Sequence, residues 1–383
     1  MTLAELLSNE ELRQHEFPVA REHVFLAHAA VCPLPRRVEA AMSAYARSCT
    51  QGDQEELLPA RIIPETRALA GRLLEATPEE IALVVPTSLA LSAVAAGLRV
   101  ESGQNVIFYQ DDYPSNVYPW LALGARGVEL RRVTPEVLGR IQPADVLELV
   151  DNRTALVALA SCHFVAGWRL DCQAIGAALR AQGVPFCVDA IQTLGAWPTP
   201  VTAIDFLAAD AHKWLLGPCG AGLFFVRREW QDRLAPTAWG WHNLRCPNYL
   251  AQEHLEFRAD ARRYEPGTPN LGGIVGLHAA LELVLELGVD GIARELERKR
   301  GWLVPALRAR GWQVLLAEAP AGSGSAIISF SRPDTDMARL HRELAGSQII
   351  TSLRADRSGR QYIRLSPHFY NTDRELERLL ERL

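Results

Sequence analysis

The chain has 383 residues, of which 48% are hydrophobic, so its length and composition suffice for a large core and predict about two domains. A formal net charge of -5, with arginines interleaved among acids, excludes nucleic acid and anionic membrane surfaces as expected partners. Seven scattered cysteines without CxxC spacing argue against a disulfide framework or a structural zinc site. Because the sequence shows no apolar leader and no long apolar run, we expect a cytoplasmic protein.

Short apolar runs alternate with helical patterns between residues 80 and 230 and predict the strands of a mainly parallel sheet. These runs occupy residues 81–85, 105–109, 155–159, 184–188, 206–208 and 222–226. Because the runs are apolar on both faces, helices are expected to cover the sheet on both sides, as in a three-layer α/β domain.

The C-terminal part of the chain has a different order of patterns. A helical stretch at 273–309, strand-like runs at 312–316 and 325–330, and an amphipathic helix from Thr372 predict a smaller α+β domain. We therefore divide the chain into an N-terminal segment at 1–24 that packs on the small domain, a large domain at 25–270 and a small domain at 271–383.

Only two lysines occur, Lys213 and Lys299, although lysine and arginine together number 40. Lys299 lies in a charged helical pattern, whereas Lys213 is flanked by apolar residues. An amine forms a Schiff base with an aldehyde and a guanidinium does not, so a site with that chemistry requires a lysine. A lysine whose stem covers an apolar surface explains Lys213 equally well when it is considered alone.

Asp189 follows the predicted strand at 184–188 and precedes Lys213 by 24 residues, which leaves room for one intervening strand. The two side chains can then meet at the carboxyl edge of the sheet. A lysine for the aldehyde and an aspartate for the protonated ring nitrogen are what pyridoxal phosphate needs. Thr87 and Ser88, at the start of a helical pattern, offer a site for its phosphate. A turn and a plain helix cap are the alternatives for these residues taken singly.

The blocks that contain these residues resemble aminotransferase class V, the fold-type I pyridoxal phosphate enzymes that include cysteine desulfurases, kynureninase, selenocysteine lyases and isopenicillin N epimerase-like proteins. The resemblance runs from residues 25–30 to 363–372, and its most specific blocks are VDAIQTLG at 188–195 and AHKWL at 211–215. It implies fold type I, which combines a three-layer domain around a mainly parallel mixed sheet with a smaller C-terminal α+β domain. It further implies bound pyridoxal 5'-phosphate in the large domain, a small amino acid substrate, and a homodimer that shares its active sites.

By this resemblance, Lys213 carries the cofactor as a Schiff base, Asp189 pairs with the ring nitrogen and Gln192 reaches the ring hydroxyl. Phosphate-binding roles fall on Thr87, Ser88 and His212 of one subunit and on Gly267 and Thr268 of the second. Tyr113 is expected to stack on the ring, and Arg364 to bind the substrate α-carboxylate. His28 and His242 stand where other residues are common in the family, and we expect them to contribute to substrate binding. Without the resemblance, a core aromatic explains Tyr113 and an exposed side chain explains Arg364 equally well.

Three departures from the family pattern bear on function. Residues 349–359, where cysteine desulfurases carry a nucleophilic cysteine, contain none, which argues against persulfide chemistry. Asp210 stands where a serine often helps to bind phosphate, so we expect it to turn away or to pair with an arginine. Phe164 occupies a position that is polar in several members and cannot donate a hydrogen bond to the cofactor.

We predict a pyridoxal phosphate enzyme that acts on an α-amino acid in an aminotransferase-like or epimerase-like reaction. The alternative is a C-S or C-C lyase of the cystine, selenocysteine or kynureninase type. A rival from another class is a cofactor-binding protein without turnover.

Overall fold

The computed structural model describes residues 1–84 and 86–383. The α-helices are α1 (Leu3–Ser8), α2 (Glu10–Glu16), α3 (Arg36–Ser48), α4 (Ile62–Leu74), α5 (Thr87–Gly97), α6 (Tyr118–Leu123), α7 (Pro143–Leu147), α8 (Cys172–Ala181), α9 (Leu271–Leu287), α10 (Val289–Ala309), α11 (Met337–Gly346) and α12 (Asp373–Leu380). The strands are β1 (Val24–Phe25), β2 (Ile81–Val84), β3 (Asn105–Tyr109), β4 (Glu129–Val133), β5 (Thr154–Ala160), β6 (Phe186–Asp189), β7 (Phe206–Asp210), β8 (Gly222–Val226), β9 (Gln313–Val314), β10 (Ile328–Ser331), β11 (Ile349–Ile350), β12 (Ser352–Ala355) and β13 (Gln361–Leu365).

Seven strands form the central sheet in the order β2-β8-β7-β6-β5-β3-β4. All neighbouring pairs are parallel except those of β8, which is antiparallel to β2 and to β7. Successive residues of one strand enter different apolar clusters: Leu207 and Ala209 pack on one side of the sheet, Phe206 and Ala208 on the other. Apolar side chains on both faces of the sheet give the three-layer arrangement and confirm the predicted mainly parallel mixed sheet.

The predicted strands of this sheet agree with the structure except at two places. Strand β2 covers residues 81–84 of the predicted run 81–85, and Val85 lies outside the described residues. Strand β4 was not predicted, because its sequence ELRRV is mostly polar. In the structure its side chains are mostly exposed or half-buried. As an edge strand, β4 pairs only with β3 in the described sheet and is not constrained to be apolar on both faces.

The second sheet has the order β12-β13-β10-β9, and its pairs are antiparallel. Its core combines apolar residues of these strands with residues of α10, α11 and α12, as expected for the smaller α+β domain. The helix predicted at 273–309 is two helices, α9 and α10, which meet at an angle of 75°. Gly288 joins them with a φ of 80°, a conformation that glycine adopts without strain.

The ends of the predicted domains make contacts across the proposed boundaries. Helix α9 packs against α3 and α4 of the large domain, although it follows residue 270. In the N-terminal segment, Arg13 donates a 2.9 Å hydrogen bond to Glu375 of α12, and the ring of Phe17 stacks on that of Tyr370. The division of the chain at residues 24 and 270 stays a prediction.

Within the described residues, no single helix is long and apolar enough to span a membrane, and only the bent pair α9 and α10 meets that criterion jointly.

A buried ion pair fixes the start of the loop at 265–270. Glu265 and Arg67 are both buried, and Arg67 Nη2 donates to Glu265 Oε2 over 2.6 Å. Glu265 Oε1 also accepts a 2.7 Å hydrogen bond from the backbone N-H of Leu83 in β2. The carboxylate of Glu265 therefore satisfies two polar groups from separate parts of the large domain, the guanidinium of Arg67 and the N-H of Leu83.

We expect Glu265→Gln to destabilise the protein by about 3–5 kcal/mol, because it leaves the guanidinium of Arg67 buried without a counterion. The midpoint of urea unfolding measures this effect. Glu256→Gln is the control, since its ion pair with Arg245 is exposed and should contribute little. Equal midpoints for the two variants would contradict the role assigned to Glu265.

Candidate active site

A cleft of about 270 Å³ opens at the edge of the central sheet where β6 and β7 end. Of the predicted site residues, eight line this cleft: Thr87, Ser88, Tyr113, Asp189, Gln192, His212, Lys213 and Arg364. They come from separate parts of the chain, as the convergence of parallel strand ends predicts. A second cleft of about 330 Å³, between Arg169 and Trp197, contains none of the predicted residues.

Lys213 is only 6% exposed, and its amine has no hydrogen-bond partner within the described part of the chain. Burial lowers the pKa of this amine to about 8, while the nearby Asp189 carboxylate opposes that shift. The positive charges of Arg364 and Arg354 lower the pKa further. A substantial fraction of Lys213 is therefore the neutral, nucleophilic amine near physiological pH.

Lys299, the other lysine, was expected on an ordinary charged helix face, but it is only 1% exposed. Its ammonium pairs with the carboxylate of Glu295 one turn away on α10. Both lysines are thus buried, but only Lys299 has an acidic partner within the described residues.

Neighbouring groups hold the turn that carries Lys213. The indole N-H of Trp214 donates to Gln192 Oε1 over 2.9 Å, and the backbone oxygen of Trp214 lies 3.1 Å from His368 Nε2. Leu216 closes the turn with a φ of 60°, which is unfavourable for a side chain of this size. Strained backbone conformations of this kind occur at functional sites, where the surrounding contacts hold them in place.

Asp189 is 3% exposed and accepts a 3.0 Å hydrogen bond from the backbone N-H of Ile191. Burial raises the pKa of its carboxyl, so a cationic partner inside the cleft would stabilise the ionised form. A second buried carboxyl, Asp112, has its pKa raised to about 7 by burial and by the charge of Asp189. Asp112 accepts a 2.7 Å hydrogen bond from the backbone N-H of Tyr113 and thereby fixes the segment that carries this ring.

The predicted phosphate end of the cleft lies at the start of α5. The hydroxyl of Ser88 lies 2.7 Å from that of Ser115, and Thr87 Oγ1 accepts a 2.9 Å hydrogen bond from the backbone N-H of Asp210. The first backbone N-H groups of a helix and two hydroxyls form a suitable environment for a dianion. Asp210 does not pair with an arginine: its Oδ1 accepts from the N-H of Ala211 and lies 3.2 Å from His212 Nδ1.

Arg364 is 1% exposed and has no carboxylate partner among the described residues. Its Nη1 donates to the backbone oxygen of Phe164 over 2.7 Å, and its Nε is buried without a partner in that same set. Burial and the charge of Arg354 lower the pKa of this guanidinium to about 9. A buried cation with an unused donor at the wall of a cleft is a receptor for an anion.

Four predicted site residues lie outside the cleft of this chain. His28 is fully buried, with its ring nitrogens 2.9 Å from the backbone oxygen of Ser366 and 2.8 Å from the hydroxyl of Tyr370. His242 Nδ1 lies 3.1 Å from the backbone oxygen of Glu265. The remaining two are Gly267 and Thr268, whose predicted phosphate contacts require a second subunit and stay predictions.

Several residues that shape the site were not predicted. Arg354 lines the cleft, Ser115 contacts Ser88, and His368 supports the turn of Lys213. The sequence contained a partial signal for His368, which lies inside the family-like block at 363–372, and for Ser115, which lies two residues after the predicted Tyr113. Nothing in the alternation of polar and apolar residues identified Arg354.

The residues of the cleft fit pyridoxal phosphate. The amine of Lys213 and the carboxylate of Asp189 line the same cleft as the start of α5, which is suited to a phosphate. Lys213 Nζ lies 5.3 Å from the ring centre of Tyr113. Gln192 donates one amide hydrogen to the backbone oxygen of Ala29 over 3.1 Å, which leaves its second hydrogen for a cofactor hydroxyl. Among the described residues, no group of three His, Cys, Asp or Glu side chains is placed to hold a metal ion.

We expect the cofactor-free protein to capture pyridoxal phosphate faster as the pH is raised through about 8, because only the neutral amine attacks an aldehyde. Stopped-flow absorbance measures the rate, and borohydride reduction followed by peptide mapping identifies the modified lysine. Lys299 is the internal control, since its ammonium is paired with Glu295. A rate independent of pH between about 6 and 10, or modification of Lys299, would contradict the assignment of Lys213.

Comparison with known proteins identifies the family. The sequence model of the family Aminotransferase class-V matches residues 24–379 of this chain. A probable cysteine desulfurase of Methanothermobacter thermautotrophicus is 28% identical over 399 residues, which cover 98% of each chain. An uncharacterized aminotransferase of Bacillus subtilis is 27% identical over 377 residues, which cover 98% of this chain and 97% of that protein.

Solved structures of related proteins have the same fold. The apo cysteine desulfurase of Thermococcus onnurineus has a TM-score of 0.88 at 22% identity and covers 97% of this chain and 96% of its own. The cystine C-S lyase C-DES, in complex with its product cysteine persulfide, has a TM-score of 0.86 at 20% identity and covers 96% of this chain and 98% of its own. The predicted fold type and family are thereby confirmed: the chain belongs to aminotransferase class V, the family of enzymes that use pyridoxal 5'-phosphate.

Proposed function

We propose that the enzyme acts on an α-amino acid, with Lys213 moving the α-proton and Arg364 binding the α-carboxylate. The observation that carries this proposal is the meeting of Lys213, Asp189 and Arg364 in one cleft, all of them buried. Bound pyridoxal phosphate supplies an aldehyde for the substrate amine and a ring that withdraws electrons from the α-carbon.

The protein groups have distinct parts in this reaction. Lys213, with its pKa lowered to about 8, is suited to take and return a proton near neutral pH. Asp189 would pair with a cationic ring nitrogen of the bound cofactor, and Tyr113, which lines the same cleft, would stack on its ring. Burial of the three charged residues excludes water, which strengthens each electrostatic interaction with the substrate.

For the outcome of the reaction, we favour an aminotransferase-like or epimerase-like activity. The cleft contains no cysteine among its described lining residues, and the segment at 349–359 has none in its sequence. Cys32, which follows the lining residue Val31, is buried, and burial raises the pKa of its thiol to about 12. A thiol that stays protonated is a poor nucleophile, so Cys32 is unsuited to carry sulfur as a persulfide.

A C-S or C-C lyase without a persulfide cysteine is the second candidate. It is favoured by the similarity to proteins named cysteine desulfurases and by the structural likeness to a cystine C-S lyase. The products separate the two candidates, because a lyase releases part of the substrate side chain, whereas transamination and epimerisation keep the carbon skeleton intact. A cofactor-binding protein without turnover is the weakest candidate, since it has no need for a buried anion receptor such as Arg364.

We also propose that two copies of the chain associate. A surface with apolar side chains that are 41–78% exposed lies in the segment 239–255, and its members are Trp239, Trp241, Tyr249, Leu250 and Leu255. This segment contacts the loop of Gly267, because the backbone N-H of His242 donates to the oxygen of Pro266 over 3.3 Å. Covering the apolar surface with a second copy would carry Gly267 and Thr268 toward the cleft of the partner.

We expect Arg364→Ala to lower kcat/KM for amino acids by roughly ten- to a hundredfold, since a charge-assisted contact is worth about 1.5–3 kcal/mol. The absorbance spectrum of the bound cofactor without substrate should stay unchanged, because Arg364 is assigned to the substrate and not to the cofactor. Steady-state kinetics and an absorbance titration measure both effects.

Arg360→Ala serves as the control. Arg360 immediately precedes β13, the strand of Arg364, but donates to Ser331 outside the cleft. If Arg364→Ala processed amino acids as efficiently as the wild type, or if simple amines without a carboxylate were better substrates, the α-amino acid assignment would be wrong.

A further inference from the structure

The cleft carries more positive than negative side-chain charge near Lys213. Its cationic lining residues include Lys213, Arg354 and Arg364, whereas its carboxylates are Asp189 and Asp210. Both carboxylates already accept backbone hydrogen bonds, from Ile191 and Ala211 respectively. Anionic partners for the two arginines must therefore come from molecules that bind in the cleft.

Sheet register places the two arginines side by side. In the antiparallel pair of β12 and β13, Ser352 lies opposite Arg364 and Arg354 lies opposite Tyr362. Arg354 and Arg364 are therefore diagonal neighbours on one face of the sheet, at a typical separation of about 7–8 Å between their backbones. Their charges interact, because each lowers the pKa of Lys213 and Arg354 lowers that of Arg364.

Arg354 has no acidic partner among the described residues. Its side chain is half-buried, and its Nη1 donates only to the neighbouring backbone oxygen of Leu353, over 2.8 Å. Other arginines of the same hairpin are occupied: Arg357 pairs with Asp111, and Arg360 donates to Ser331 and to Gln313. A partly desolvated guanidinium without a counterion is held at a cost unless a ligand supplies the anion.

Under the proposed function, the other anionic groups already have binding sites. The α-carboxylate is assigned to Arg364, and the cofactor phosphate to the start of α5 with Thr87, Ser88 and His212. Arg354 is left without an assigned anion. It lies beside Arg364 on the substrate side of the cleft, and its charge lowers the pKa of Lys213.

We propose that Arg354 binds a second anionic group on the substrate side chain, so that the preferred substrate is a short acidic α-amino acid. This inference rests on the proposed function, because it assumes that the substrate α-carboxylate occupies Arg364. A carboxylate and a sulfinate share the required chemistry of two oxygen acceptors, which match the fork of a guanidinium.

The test compares acidic amino acids with their neutral isosteres, with the absorbance change of the bound cofactor as a measure of affinity that needs no turnover. The ligand pairs are aspartate against asparagine and glutamate against glutamine, and cysteine sulfinate is compared with aspartate to identify the preferred anion. The proteins are the wild type, Arg354→Met, Arg354→Lys and the control Arg339→Met. Arg339 lies on α11 and is exposed, so its variant removes one positive charge from the surface.

We expect the wild type to prefer at least one acidic ligand over its isostere by about tenfold or more, as for a charge-assisted contact. Arg354→Met should abolish that preference, Arg354→Lys should keep part of it, and Arg339→Met should keep all of it. A wild type that binds amino acids without this preference, or an Arg354→Met variant that retains it, would overturn the proposal. If Arg354→Met does not fold, Arg354→Lys decides, because loss of the bidentate fork must still reduce the ratio.

A titration with succinate separates this proposal from the function on which it rests. Succinate carries two carboxylates but no amine, and competition with a reporter anion measures its affinity. Succinate binding that is lost in Arg354→Met, in a protein that binds no amino acid, would support the anion site and reject the amino acid function. Amino acid binding without any effect of Arg354→Met on acidic ligands or succinate would reject the anion site alone.

Discussion

The burial of the Lys213 amine without an acidic contact is the constraint on which the site depends. Desolvation favours the neutral amine, and the nearby arginines act in the same direction, while Asp189 limits the shift. The central sheet provides this arrangement, because β6 and β7 are parallel neighbours and end side by side. Asp189 is the last residue of β6, and two residues separate Lys213 from the end of β7.

The positive charges of the cleft destabilise the folded protein before any ligand binds. Arg364 is buried with an unpartnered Nε, and Arg354 stands next to it without a counterion among the described residues. Removing charged groups from water is unfavourable unless partners replace the water. Under the proposed function, the cofactor phosphate and the substrate carboxylate would supply the missing anionic partners and offset this cost.

The sequence predicted those parts of the structure that depend on local patterns. Runs that are apolar on both faces identified the central strands. The edge strand β4 was not predicted, because a strand at the edge of the sheet is not required to be apolar and its sequence is mostly polar. Asp189 could be predicted because it directly follows a recognisable strand, and Lys213 because it is one of two lysines and is flanked by apolar residues. The break between α9 and α10 was missed, since a single glycine does not interrupt a helical pattern clearly.

Arg354 and His28 show what the sequence does not contain. The position of Arg354 beside Arg364 follows from the register of β12 and β13, which no local pattern contains. His28 lies in a block that resembles the family, yet its ring is directed to Tyr370 and Ser366 behind the cleft. Similarity of a block locates a segment in the fold, but the direction of each side chain depends on long-range packing.

If Lys213 moves the α-proton of an amino acid, the protein must exchange that proton for deuterium. In heavy water, nuclear magnetic resonance should show that the wild-type protein exchanges the α-proton of a bound amino acid. Lys213→Ala supplied with excess pyridoxal phosphate should exchange it no faster than the free cofactor does. Exchange by Lys213→Ala at the rate of the wild type would contradict the assignment of Lys213 as the base.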